Sequence, residues 1–281
     1  MSVFVVGSLH LDVVLRAPHL PQLDETVAGS AVDFVFGGKG GNQAVAAARM
    51  GADVGLAGRI GSDPFGDMIR TALDAARINT GQLQVDNGAS GMSAAIVEDS
   101  GQYGAVIVSA ANLRINAEQI AIPPSTSLLL LQNEVPDAVN LSVARKAREA
   151  GVQVWLNAAP ARALPVELLD QIDLLIVNRV EAAFYAGVLA AQPVLTTLGA
   201  DGARYDGINH PAYKVDVVSA HGAGDMFVGA LAARVADGDD IPDAIGFAQA
   251  AAALHVTQPL AERDMLTADK VRAFMAGQAR P

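Results

Sequence analysis

Short, mostly apolar runs recur along the chain at Val3–Val6, Val54–Ala57, Leu128–Leu131, Val152–Leu156, Leu174–Val177 and Val194–Thr197. Such runs read as strands buried on both faces. Helical patterns lie among them at Gln43–Met50, Phe65–Ala76, Val139–Ala150 and Val166–Gln171, and two more follow at Gly224–Ala236 and Ile241–His255. A chain that alternates in this way can hide its strands only in a mostly parallel sheet with helices on both faces. The expected fold class is therefore α/β, with a three-layer arrangement. A length of 281 residues suits one such domain spanning 1–281.

Two segments break the rhythm. "VVLRAP" with "ETVAGSAVDFVF" (13–36), and "GMSAAIVEDSGQYGAVIVSA" (91–110), each read as a pair of strands with no helix between them. "DSGQ" supplies a hairpin-style turn in the second pair. The expectation is a small antiparallel sheet standing off the main sheet, as a lid or a dimer surface.

Composition removes several function classes. There is no Cys, so disulfides, thiolate catalysis and a cysteine zinc site are excluded. The formal net charge is −11 and no Lys/Arg cluster occurs, which argues against a nucleic-acid partner. No run reaches the roughly 18 apolar residues of a membrane span, and the N-terminus lacks a basic leader pattern. A cytoplasmic protein is expected. The five His residues show no metal-ligand spacing.

Four stretches carry candidate chemistry. "FGGKGGNQAVAAARMG" (36–51) is not a P-loop, because Gly40 rather than Ser or Thr follows Lys39. It also fails G-x-G-x-x-G at Gln43. It reads as a flexible loop entering a helix near Asn42, either a plain capped entry or a place where a ligand meets backbone. In "VVSAHGAGDMFVGALAARV" (217–235), Gly222, Ala223 and Gly224 lead into a helix whose N–H groups suit an anion. Asp225 then either caps that helix or takes a proton from a hydroxyl attacking a bound phosphate. In "LLIVNRVEAAFYAG" (174–187), Asn178 and Glu181 form a capping box or belong to a hard-cation site. Finally, Asp12, Glu134 and Thr197 collect at strand ends, where parallel sheets bind ligands.

Together these stretches resemble the ribokinase-like (PfkB) family of carbohydrate kinases. The resemblance rests on "VVGSLHLDVVL", "ETVAGSAVDFVFGGKGGNQAVAAARMGA", "LNAAPAR", "VNRVEA", "TLGADG" and "GAGDMFVGAL", from about residue 3 to residue 257. It implies transfer of the γ-phosphoryl group of ATP, with Mg²⁺, to a hydroxyl of a small, ribose-like sugar. By resemblance Asp225 is the catalytic base, and Gly222, Ala223 and Gly224 form the anion hole. His10, Asp12, Gly38, Lys39, Asn42 and Glu134 stand at sugar-contacting positions. Thr197, Gly199, Gly202 and Gln249 lie on the nucleotide side. Asn178 and Glu181 organise phosphate and Mg²⁺, largely through water. The two strand pairs match the family's β-lid, which often forms a homodimer contact. A nucleoside kinase, or a non-catalytic sugar- or nucleotide-binding member, are the alternatives.

Four departures from the family pattern stand out. Ser219 replaces an Asp that helps hold a monovalent cation, and the second half of that site, "QPLAERDM", lacks the usual Gly-containing run. A degenerate K⁺ site is therefore expected. His10 replaces a sugar-contacting Asn, so a different hydroxyl pattern or an acidic sugar is a possible reading. His221 directly precedes the anion hole. Residues 188–192 stand where the family has a helix.

Overall fold

The computed structural model describes residues 2–187 and 193–278. The expected loss of a helix at 188–192 falls outside the described residues.

The larger sheet contains β1 (Ser2–Val6), β4 (Asp53–Gly61), β5 (Asn79–Asp86), β8 (Thr126–Gln132), β9 (Gln153–Asn157), β10 (Leu174–Asn178), β11 (Val194–Thr197), β12 (Ala203–Tyr205) and β13 (Ile208–His210). Their spatial order is β13-β12-β11-β10-β9-β8-β1-β4-β5. Neighbours from β11 through β5 pair in parallel, whereas β11–β12 and β12–β13 at the other edge pair antiparallel. The six apolar runs are thus strands of one sheet. β5, β12 and β13 escaped the sequence reading because β5 is polar and β12 and β13 are very short, which leaves little apolar signal.

The pleat divides each central strand between two cores. Val3, Val5, Leu128 and Leu130 face a core shared with helices α1 (Lys39–Arg49), α6 (Ala223–Asp237) and α7 (Ile241–Thr257). Phe4, Val6, Leu129 and Leu131 face the other, with Val139 and Val143 of α3 (Asp137–Glu149). Each such Leu or Val, removed from water, contributes about 1.5–3 kcal/mol before chain entropy. The remaining helices are α2 (Pro64–Ala75), α4 (Val166–Leu169), α5 (Arg179–Phe184) and α8 (Ala268–Gly277). The helix expected to run to Gln171 stops at Leu169.

The second sheet has the order β3-β2-β6-β7, with β2 at His10–Ala17, β3 at Ala31–Gly37, β6 at Gly91–Glu98 and β7 at Tyr103–Val108. It is the expected second, small sheet, with one correction. The two hairpin-like pairs are antiparallel, but β2 and β6 join them in parallel register, His10 opposite Gly91. Sequence reads each pair locally, whereas the seam between pairs is set by where the main sheet delivers the two segments.

Candidate active site

Parallel strands end together, and their C-terminal ends build the site. Asn157 closes β9, Asn178 closes β10 and Thr197 closes β11; Asn178 lies in register with Thr197. Gly7 to Leu9 carry the chain from β1 into the lid, so His10 opens β2 beside this edge. Asn112 fixes that passage: its amide accepts from the N–H of Leu9 and donates to the Leu9 carbonyl, both at 2.9 Å.

Helix α1 begins at Lys39, not near Asn42. Gly38 occupies its N-cap position with φ 85°, a left-handed conformation suited to glycine, and no side chain caps the helix. The following glycines are helical. A Cβ on Gly40 would lie 2.7 Å from the backbone of Gly7 and Ser8, and one on Gly41 would lie 2.6 Å from the Phe36 ring. The run "GGKGG" is therefore less a flexible loop than a helix start pressed against β1 and the lid. Glu134 ties it down, accepting from the N–H of Lys39 at 2.8 Å and from the Ser8 hydroxyl.

Helix α6 also starts from a left-handed glycine, Gly222, at φ 75°. Asp225 sits in its first turn but makes no cap bond. The carboxylate instead faces α1. Oδ1 accepts from Gln43 Nε2 at 2.9 Å, Oδ2 from Asn42 Nδ2 at 3.3 Å, and Lys39 Nζ lies 3.8 Å from Oδ1. The Gln43 amide also donates to Asn157 Oδ1 at 2.9 Å, and Asn157 donates to the Ile176 carbonyl. A fully buried Gln in an Ala/Val helix thus links Asp225 to the end of β9. Sequence reasoning did not single out Gln43 or Asn157. The available signal was one polar residue on the apolar face of α1.

Lys39 is the positive centre of the site. Burial pushes its pKa down, but the charges of Asp225, Glu134 and Glu181 prevail and hold it above the ordinary lysine value. Glu181 is buried, and burial pushes its carboxyl up against the opposing N–H of Asn178 and the Lys39 charge. Asn178 and Glu181 form a complete capping box. Asn178 Oδ1 accepts from the N–H groups of Val180 and Glu181, and Glu181 Oε2 accepts from the N–H of Asn178. Both lone pairs of Asn178 Oδ1 are thereby used, and its side-chain amide also helps hold the Glu181 carboxyl down. Among the described residues no three His, Asp or Glu side chains converge as a metal cage. That donor set fits a Mg²⁺ ion carried mainly by phosphate oxygens and water.

The remaining predicted residues are more dispersed. Asp12 Oδ1 accepts from Ser93 at 2.6 Å across the parallel lid seam. His10 is buried, and among the described residues its Nε2 has no hydrogen-bond partner. Gly199 and Gly202 flank a short 3-10 turn after β11, whereas Gln249, on α7, donates to the His210 carbonyl at 2.7 Å and so braces β13. Phe34 packs 6.2 Å from Phe65 yet stays about half exposed, whereas Phe36 is partly buried against the core.

A carboxylate in the first turn of α6, bonded to α1 and linked through Gln43 to the C-terminal end of β9, is the arrangement expected of a phosphoryl-transferring α/β protein. The pfkB family carbohydrate kinase profile matches residues 1–268. Ribokinase of Bacillus subtilis (strain 168) is 33% identical over 98% of this chain and 99% of its own length. The structure of Arabidopsis thaliana ribokinase complexed with ribose and ATP superposes with a TM-score of 0.89, at 28% identity, covering 99% of both chains. A Burkholderia thailandensis nucleoside kinase in complex with inosine shares the fold, with a TM-score of 0.83 at 18% identity and coverage of 100% of this chain and 98% of its own. The chain belongs to the pfkB family of carbohydrate kinases and is an ATP-dependent sugar kinase. No helix among the described residues is long and apolar enough to cross a membrane.

Proposed function

We propose that the chain phosphorylates ribose or a closely similar sugar, acting as one catalytic unit with a built-in lid. The observation that carries this reading is the Asp225 carboxylate. It sits in the first turn of α6, caps nothing, and is aimed by Gln43, Asn42 and Lys39. A carboxylate so placed takes the proton of a sugar hydroxyl as that oxygen attacks the γ-phosphoryl group. The N–H groups of Gly222 and Gly224, at the positive end of a 15-residue helix, meet the charge that develops on the transferred group, whereas that of Ala223 donates to the Ala220 carbonyl at 3.2 Å and must exchange that bond to join them. Lys39 balances the carboxylates around it. Mg²⁺, when bound, shields phosphate charge. Glu181 would orient its water shell, and Asn178 Nδ2 would donate to phosphate or water. Thr197, Gly199 and Gly202 border the nucleotide.

Acceptor recognition falls to the lid, the start of α1 and the loop after β8: His10, Asp12, Gly38, Lys39, Asn42 and Glu134. A buried imidazole nitrogen without a partner is costly unless a ligand supplies one. We therefore assign His10 Nε2 to a sugar hydroxyl. His10→Ala is expected to raise the sugar KM by about tenfold, the value of a lost hydrogen bond of roughly 1.4 kcal/mol, with the KM for ATP unchanged. Equal KM values for sugar in the two proteins would remove His10 from the site.

The deciding experiment is an ATP-consumption screen over pentoses, hexoses, sugar acids and nucleosides. Ribose is expected to give the highest kcat/KM. Preference for a sugar acid or a nucleoside would replace the acceptor, and no turnover with any of them would sink the kinase reading.

The lid exposes Val32 and Phe34 on β3 and Tyr103, Val106, Ile107 and Val108 on β7. Both are edge strands of the small sheet. Exposed apolar edges favour pairing with a second copy, so a homodimer through the lid is expected. Light scattering should give twice the chain mass, and Ile107→Lys should return it to the monomer mass. A monomeric wild type would refute the contact.

A further inference from the structure

Arg263 is 3% exposed, yet among the described residues it forms no ion pair with a carboxylate. Its guanidinium is held by backbone carbonyls instead. One terminal nitrogen donates to the His221 carbonyl at 2.7 Å, the other to the Ser219 carbonyl at 2.7 Å, and Nε to the Gln258 carbonyl at 3.3 Å. Gln258 is the C-cap of α7, so the negative end of that helix adds to the attraction. Carbonyls converging on one positive charge are the surroundings a K⁺ or Na⁺ ion takes from protein backbone. Here a guanidinium fills them, and the residues do not fit the monovalent ion that the family resemblance implies. The sequence reading noted the altered loop but not its arginine.

The cage lies directly before the anion hole. His255 completes the grip on the His221 carbonyl, with Nε2 at 3.0 Å, and its ring sits 3.1 Å from where a Cβ on Gly222 would be. Burial, then the neighbouring Arg263, Arg49 and His221 charges, lower the pKa of His255 to about 4 against the pull of that carbonyl, so it donates as a neutral ring. In a planar trans peptide the C=O and N–H point in opposite directions. A His221 carbonyl drawn onto Arg263 and His255 therefore turns the N–H of Gly222 the other way, toward the loop that receives the phosphoryl group.

We propose that Arg263 is a resident cation for the anion hole, a positioning residue that orients the His221–Gly222 peptide and makes the kinase independent of K⁺. The inference rests on the reading of Gly222 to Gly224 as the phosphoryl-binding loop. A guanidinium stays charged at any working pH, so the device needs no ion from solution.

The test measures turnover and melting temperature of the full-length protein in KCl, NaCl and choline chloride at equal ionic strength. Wild type is expected to behave alike in all three. Arg263→Ala should lose roughly 10²-fold in kcat, as for a reacting group displaced by about 1 Å, with the sugar KM unchanged. Guanidinium chloride at low concentration, or K⁺, should restore part of that loss. Activation or stabilisation of wild type by K⁺ would overturn the proposal. So would a folded Arg263→Ala protein with wild-type kcat in choline, or one whose loss neither cation relieves. Should Arg263→Ala not fold, Arg263→Lys keeps the charge and should remain indifferent to K⁺; activation by K⁺ would count against the idea. If no acceptor supports ATP turnover, the kinase reading fails, and the melting-temperature comparison still decides whether the cage takes K⁺.

Discussion

Asp225→Asn is expected to lower kcat by about 10²–10⁴-fold, the usual contribution of a positioned general base, while sugar binding measured by calorimetry stays close to wild type. The amide has the carboxylate's shape but cannot take the hydroxyl proton. Its oxygen can still accept from Gln43 Nε2, so the link from α6 through Gln43 to Asn157 is retained. Its NH₂ group would face Asn42 Nδ2, a donor, and that contact of 3.3 Å is lost. Lys39 keeps the charges of Glu134 and Glu181 around it. The stability cost should therefore be about 1 kcal/mol, that of one hydrogen bond. Loss of kcat with retained binding and fold separates a proton acceptor from a structural cap. Full residual activity would refute the base assignment and return Asp225 to a purely structural role.

Gly229→Val should damage fold and catalysis together. Gly229 lies one turn beyond Asp225 on α6, where that helix crosses α1. A Cβ at this position would lie 2.5 Å from the Gln43 carbonyl, 2.5 Å from Ala46 Cβ and 2.8 Å from the Ala47 nitrogen. Two of these are backbone atoms, which no rotamer change can move, so the helices must separate. Overpacking of this kind costs about 1–3 kcal/mol, and valine belongs at the upper end. That outweighs the gain of somewhat under 1 kcal/mol from replacing glycine in a helix interior. The melting temperature should fall by several degrees. The same separation lengthens the Gln43–Asp225 bond that aims the base, and kcat should drop by about 10²-fold for a displacement near 1 Å. A variant with unchanged melting temperature and kcat would show that the α1–α6 crossing is not what holds Asp225.

Asp225 and the groups around it differ in how readable they were. Asp225 was visible because a carboxylate beside a glycine loop at a helix start is an unusual local pattern. Its partners were not, because Gln43 is 182 residues away in sequence and reads as one polar residue in an alanine-rich helix. Asn178 and Glu181 were legible as a pair, and the capping box was one of the two readings offered for them. The start of α1 was misplaced for a related reason. Glycine disfavours helix, so "GGKGG" reads locally as loop, but close approach of Gly7 and Phe36 requires the missing side chains and draws those glycines into the helix. Arg263 was passed over entirely, since nothing local distinguishes a buried arginine from an exposed one.

By itself the sequence determined the α/β class, the strands of the central sheet, the lid segments and the glycine–aspartate start of α6. Those features are written in hydrophobic period and turn chemistry, which act over a few residues. Only the tertiary structure decided that β2 and β6 pair in parallel, that Gln43 and Lys39 contact Asp225, and that Arg263 sits in a cage of carbonyls beside the glycine loop that opens α6. Those depend on groups brought together from distant parts of the chain, where burial and charge, not local pattern, select the partner.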